Sequence, residues 1–312
     1  MSYTVSNVSF PSSDGISTVH GIIYIPDSAP RGVVQLSHGM VDHVGRYEAL
    51  GKFLAECGYV FAGNDHIGHG MTADKSGTMF GYFTDKGGTD LVLRDLHSMN
   101  KLLRERFGGM KPVIMGHSMG SFLSRLYVEK YTNSTSGHII HGTGGPLGAA
   151  VPLGIGLVNL IMLFRGTKYR SSLVKSIAFA GYNSHFPKEE GPNAWLTRDL
   201  STISGHDSNS YTNFTFTVSA YKELFQMVGK SNSKNWFASY PKQLKTLILS
   251  GDEDPVGDYG NGVRYVYKQL LLSGVEELSM KLYEGARHEL FNETNRDEVF
   301  ADMKSFLDRV FK

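Results

Sequence analysis

The sequence predicts an α/β fold: a mostly parallel central sheet with helices on both faces and a helical cap inserted ahead of the last strands. Three observations carry that expectation. Short apolar runs alternate with longer stretches of helical periodicity. Glycines stand where each run should turn, and between about residues 146 and 238 the alternation stops. With 312 residues, 41% of them hydrophobic and 20% charged, the chain has a globular composition, which excludes a disordered chain, a collagen-like repeat and a disulfide scaffold.

The elements follow in order. Residues 18–25 alternate, are rich in β-branched side chains and end at Pro26. Residues 32–37 are a short apolar run leading to Gly39, as a strand buried on both faces should read. Residues 46–57 place Leu50, Phe53 and Leu54 on one helical face and stop at Gly58. A strand over 59–62 precedes an amphipathic helix over 91–107, built on Leu91, Leu93, Leu96, Met99, Leu102 and Leu103 and closed by Gly108 and Gly109. Then come a strand at 112–115, a helix at 119–131, strands at 138–141 and 246–249, a helix at 263–272, a strand at 278–283 and a closing helix at 296–311. Residues 1–145 and 239–312 therefore read as the core. Residues 146–238, first apolar and punctuated by Gly and Pro, then polar and aromatic, read as an inserted cap, or lid.

Thirty-one basic against thirty acidic residues leave no global field for nucleic acid. The lone cysteine, Cys57, rules out an internal disulfide and a Cys-rich metal site. The N-terminus has neither the basic nor the apolar region of a signal peptide, so a cytoplasmic location is expected and the Asn-x-Ser/Thr triplets carry little meaning. Residues 142–164 lack charge over a length that could span a bilayer. Pro146, Pro152, repeated Gly and Asn159 break that stretch, and it sits between two halves of one domain. It therefore reads as cap rather than membrane span, with a transient membrane-surface contact as its expected role.

Gly116-His117-Ser118-Met119-Gly120 is the centre of the chemistry. A G-x-S-x-G pentapeptide is common, but here an apolar strand runs into it and a helix runs out, the context of a nucleophile elbow. Such a turn lifts the Ser118 hydroxyl out of the sheet to a helix N-terminus, where free N–H groups favour developing negative charge. A serine hydroxyl needs an oriented base. Of the histidines after Ser118 (His138, His141, His185, His206 and His288), only His288 lies just beyond a late strand and before the last helix. The loop after 246–249 offers three carboxylates, Asp252, Glu253 and Asp254. An oxyanion site needs one N–H after the nucleophile, that of Met119, and one from the loop after strand 32–37, that of Met40, with Gly39 allowing close approach.

Four blocks taken together resemble the monoacylglycerol lipase and lysophospholipase branch of the α/β-hydrolases, the serine aminopeptidase S33-like hydrolases. They are His38-Gly39-Met40-Val41-Asp42-His43-Val44-Gly45-Arg46-Tyr47, Asp65-His66-Ile67-Gly68-His69-Gly70, Gly116-His117-Ser118-Met119-Gly120 and Ser250-Gly251-Asp252-Glu253-Asp254-Pro255-Val256. The resemblance runs from about residue 30 to the C-terminus. It implies that Asp254 is the triad acid, three residues after Gly251. It further implies an acyl-enzyme mechanism on carboxylic esters of apolar acyl groups, with a small lipid-like ester as substrate and no cofactor. Asp42 stands where the family commonly has Glu, at a position that is not catalytic there. By the same analogy His43, Arg46 and Tyr47 brace the oxyanion loop.

The cap does not match the family closely, so pocket residues come from its apolar stretch. Leu147, Leu153, Leu157 and Ile161 are candidates for an acyl channel, in which each buried CH₂ would contribute roughly 0.8 kcal/mol; packing of cap helices is the other reading of the same residues. His66-x-x-His69 lacks the partners of a metal site, and Gly229-Lys230-Ser231 lacks the first glycine and the strand of a phosphate loop. Two other functions use the same residues: an aminopeptidase or amidase with the same triad, and a ligand-binding protein that has lost catalysis.

Overall fold

A computed structural model of the chain describes residues 2–312. Eight strands are present: β1 (Tyr3–Pro11), β2 (Thr18–Pro26), β3 (Gly32–Ser37), β4 (Tyr59–Asn64), β5 (Val113–His117), β6 (Gly137–His141), β7 (Lys245–Gly251) and β8 (Leu278–Tyr283). They form one sheet in the order β1-β2-β4-β3-β5-β6-β7-β8. β1 and β2 pair antiparallel, as do β2 and β4, and every pair from β4 to β8 is parallel. This is an α/β-hydrolase sheet. β1 is an addition to the expected elements: it lies on the sheet edge, its residues are half-buried or exposed, and it carries no apolar run to announce it.

The helices are α1 (Glu48–Glu56), α2 (Gly70–Ser76), α3 (Gly88–Arg106), α4 (Met119–Lys130), α5 (Ala150–Arg165), α6 (Ser172–Ala178), α7 (Leu200–Ser208), α8 (Val218–Ser231), α9 (Lys234–Ser239), α10 (Asn261–Leu272) and α11 (Arg296–Val310). The helix expected over 46–57 divides into a 3₁₀ turn, Val44–Tyr47, followed by α1. α1 and α11 cover one face of the sheet through Leu50, Leu54, Phe300, Met303 and Phe306. α3, α4, α8 and α10 pack on the other, where Val92, Leu96, Leu123, Tyr221 and Val266 meet Ile114, Ile140 and Ile248. In α3 the buried residues recur at helical spacing, with Asp90 in the first turn and Arg104 and Arg106 in the last, each at the end its charge favours.

The segment between β6 and β7 is helical, α5 to α9. Four of its five helices are capped by their own side chains: Ser171, Asp199, Thr217 and Ser233 accept from backbone N–H groups of α6, α7, α8 and α9. α4, by contrast, follows Ser118 with no capping side chain, which leaves the Met119 N–H without a cap. α5 is the most apolar helix, yet only Val158 of its residues is fully buried; Leu153, Leu163 and Phe164 are each more than 70% exposed. Among the described residues no helix is long and apolar enough to cross a membrane.

One buried cation ties this segment to the core. Arg125 of α4 is inaccessible to solvent and has no carboxylate partner. Its guanidinium donates to Thr143 Oγ1 and Gly144 O where the chain leaves the sheet, and to Ser231 O and Asn232 Oδ1 at the end of α8. It lies 4.4 Å from the Trp236 ring, an apolar contact that suits a weakly hydrated guanidinium.

The turn between β5 and α4 is among the tightest packing in the fold. A Cβ at Gly120 would lie 1.9 Å from Ser37 O, and one at Gly116 would lie 2.1 Å from Gly120 O. Both obstacles are backbone, so neither can swing aside. Gly120→Ala is expected to lose about 4 kcal/mol or more of stability, read as a fall in the urea midpoint or as failure to accumulate folded protein.

Candidate active site

Ser118 ends β5 in a conformation that L side chains rarely adopt, φ 53° and ψ −122°. It is held there from both sides. Its N–H donates to His141 O at 3.0 Å, and its carbonyl accepts from the Ser121 N–H at 2.8 Å and the Ser121 hydroxyl at 2.6 Å. A backbone so placed stores about 1–3 kcal/mol of strain, retained because the surroundings over-determine it. The result is a half-buried hydroxyl facing a cavity of about 780 Å³.

His288 lines the same cavity. Its Nδ1 lies 2.9 Å from Asp254 Oδ2 and both side chains are buried. An ionised carboxylate only accepts, so Nδ1 carries the hydrogen and Nε2 keeps its lone pair. Nε2 has no hydrogen-bond partner among the described residues, so it stands ready to take a proton. Asp254 is fixed in turn: Oδ1 accepts the Val256 N–H at 2.9 Å and Oδ2 the Ser250 hydroxyl at 3.3 Å. Asp252 points elsewhere and accepts the Gly285 N–H at 2.7 Å. His117 backs His288, their rings 4.8 Å apart, and shares a 2.9 Å Nδ1–Nδ1 hydrogen bond with His141. Burial pushes both of these imidazoles well below their ordinary pKa, so they support His288 as neutral rings.

The loop after β3 completes the site. His38 Nδ1 donates to Gly39 O at 2.9 Å, while His38 Nε2 accepts the His66 N–H at 3.0 Å. Burial lowers the His38 pKa to about 3, so the ring is neutral and this tautomer is set by its two partners. A planar trans peptide directs its N–H opposite to its C=O. Anchoring the Gly39 carbonyl therefore turns the Met40 N–H the other way. Met40 and Met119 both line the cavity with Ser118, and neither N–H has a hydrogen-bond partner among the described residues. Val41 follows at φ 54°, a strained position for a β-branched residue and a second sign that this loop is forced.

Asp42 holds that strained loop. Its Oδ2 accepts the Gly39 N–H at 3.0 Å and the Tyr47 hydroxyl at 2.7 Å; Oδ1 accepts the His43 N–H at 2.8 Å and Arg46 at 3.1 Å. Arg46 also forks onto Glu289, at 2.7 and 2.6 Å. Burial works to raise the pKa of both carboxyls, but the guanidinium outweighs it and holds Asp42 and Glu289 below the carboxylate range. One cation thus joins the oxyanion loop to the residue beside His288. The sequence suggests Arg46 and Tyr47 as braces but not Asp42 or Glu289; the Arg46–Glu289 pair spans 243 positions.

Of the pocket residues expected from the sequence, Leu147 lines the cavity. Leu153, Leu157 and Ile161 do not: Leu153 faces solvent, while Leu157 and Ile161 pack against the core. α5 turns one stripe inward and the opposite one outward, and neither reaches the cavity at those positions. The apolar wall comes instead from Phe122, Phe179, Trp195, Tyr221, Leu224 and Phe225. α8, which supplies the last three, has an amphipathic pattern that could have revealed it. His66 and His69 are buried beside His38 and bond to backbone and hydroxyl groups.

Comparison with known proteins gives the family and the fold. The family described as serine aminopeptidase, S33, matches residues 28–295. A monoacylglycerol lipase of Mycolicibacterium smegmatis is 24% identical over 316 residues, covering 98% of each chain. The structure of a thermostable carboxyl esterase from Bacillus coagulans superposes with a TM-score of 0.92 at 29% identity, covering 99% of both chains. A lipase in an open form superposes with a TM-score of 0.92 at 27% identity, over 99% of this chain and 100% of the other.

Removing Arg46 would leave two buried carboxylates without a counter-ion. Arg46→Met is expected to lose about 3–5 kcal/mol at pH 7. In the parent, Asp42 and Glu289 have depressed pKa values, so their contribution is present above the ordinary carboxylate range and is lost as pH falls through the depressed values. In the variant, burial alone raises both, so protonation relieves it. Denaturant melts should show the gap between the two proteins narrowing from pH 7 to pH 5.

Proposed function

This chain belongs to the serine aminopeptidase, S33, family of α/β-hydrolases, and we propose that it is a serine hydrolase of carboxylic esters with apolar acyl groups. Monoacylglycerol or a lysophospholipid is the substrate class it fits. One observation carries the reading. A single cavity receives the Ser118 hydroxyl, the unpartnered Nε2 of His288 and the N–H groups of Met40 and Met119, and continues along an apolar wall. In this reading Ser118 Oγ attacks the acyl carbonyl while His288 takes its proton and Asp254 holds the imidazole tautomer. The tetrahedral oxygen sits on the Met40 and Met119 N–H groups, His288 returns the proton to the leaving alcohol, and a water activated by His288 releases the acid.

The cavity also supports esters over aminoacyl amides. An α-ammonium group needs a free carboxylate, and those lining the cavity are engaged: Asp42 and Glu289 by Arg46, and Asp207 by Asn193 and His206. Residues 146–238 act in this reading as the cap that roofs the cavity. The same segment supports contact with a lipid surface. From residue 142 through 187 it has no Asp or Glu but has Arg165, Lys168, Arg170 and Lys175, and beside them Leu160, Leu163, Phe164, Leu173 and Ile177 are exposed.

A fluorophosphonate probe should label the protein and fail to label Ser118→Ala. Against p-nitrophenyl esters, kcat/KM should rise with acyl length from acetate to decanoate, and aminoacyl amides should turn over at least a hundredfold more slowly. Asp254→Asn should lose about 10⁴ in kcat, whereas Asp252→Asn should lose little. In sedimentation assays the protein should bind phosphatidylserine vesicles more than phosphatidylcholine vesicles, and a Leu163→Ser, Phe164→Ser double variant should bind less than the parent.

A further inference from the structure

We infer that Arg287 is a positioning residue that hooks the inserted segment onto the loop carrying His288, so that His288 is held in place only while that segment is docked. The inference rests on the catalytic role proposed for His288. The loop receives contacts from both sides. From the core, His141 Nε2 accepts the Leu290 N–H at 3.3 Å, and Arg46 grips Glu289. From the insert, Trp195 O accepts the His288 N–H at 3.4 Å and Leu196 O accepts the Glu289 N–H at 2.7 Å. The peptide N–H of His288 itself therefore bonds to the insert and not to the sheet.

Arg287 fastens this ladder. Its Nη1 donates to Ala194 O at 2.7 Å and Thr197 O at 3.2 Å, which are carbonyls on either side of the two that pair with the loop, and meets Glu190 Oε2 at 2.6 Å. The guanidinium stacks over the Phe186 ring at 4.3 Å. Every one of these partners lies between residues 186 and 197. Glu293 closes the other end: it accepts the Arg287 N–H at 2.8 Å and also binds Arg198 Nε at 2.8 Å. Trp195, held by the same contacts, lays its ring 5.0 Å from the His288 ring and covers it. The two hydrogens of Nη1 are shared among these three acceptors, which a methionine cannot supply and a lysine can meet only in part.

The test uses the full chain with p-nitrophenyl butyrate, a substrate too short to depend on an acyl channel, alongside amide hydrogen exchange. Arg287→Met is expected to lower kcat at least tenfold while KM changes less than threefold, with Arg287→Lys recovering part of the loss. Exchange in residues 286–293 should quicken at least tenfold while α11 keeps its protection. Glu190→Gln, at the solvent side of the contact, should move kcat and exchange in the same direction by about threefold; it decides the matter if Arg287→Met does not fold. Unchanged exchange in 286–293, or a lowered melting temperature with kcat intact, would overturn the inference. If the parent shows no Ser118-dependent hydrolysis, the functional reading fails, while the exchange result still decides whether the hook exists.

Discussion

Any Cβ at position 120 would stand 1.9 Å from the Ser37 carbonyl oxygen, and the geometry of the site follows from that contact. It brings the end of β3 into backbone contact with the first turn of α4. The loop after β3 and the first turn of α4 are then adjacent by construction, and Ser118 between them is driven to positive φ. The strained Ser118 backbone, the uncapped start of α4 and a bare glycine pair are three aspects of a single packing decision. None could be relaxed without moving the others.

Around that turn the chain arranges two kinds of rigid support. One kind is neutral: His38, His117 and His141 are imidazoles kept uncharged by burial, His38 and His141 with both ring nitrogens hydrogen-bonded and His117 through its Nδ1. They fix peptide orientation and ring position at little electrostatic cost. The other kind is ionic, the Asp42–Arg46–Glu289 chain. A buried ion pair is weak evidence of stability, because desolvation offsets much of the attraction. Its use here is geometric: two loops more than two hundred residues apart in sequence share one guanidinium, and a shift in either would expose an unpaired charge.

Much of this was legible in the sequence, and the reasons differ by element. β3, β4, β5 and β6 are buried along their whole length, so each shows as a short run with an apolar centre and few charges. Ser118 and His288 could be read from their places after strands, and the structure sets both on one cavity. The cavity wall could not be read. An apolar stretch such as α5 shows that something is greasy but not which way it faces, and three of the four leucine and isoleucine positions expected to line the pocket turned to solvent or to the core. β1 was invisible because an edge strand needs no apolar face. Long-range pairs such as Arg46 with Glu289, or Arg287 with Glu190, leave no local periodicity, and only the folded chain reveals them.

The Arg125 tie bears on how such a molecule can change over generations. Because the chain just after β6 and the end of α8 lie within the span of one side chain, the distance that the residues between them must bridge is fixed independently of their number. Loop closure penalises added residues only logarithmically, so a longer, shorter or rebuilt roof can be grafted onto the same clasp without disturbing the strands beneath. The strands beneath keep their register whatever residues the segment gains or loses, so long as the stretch from 194 to 197 still meets the loop of His288.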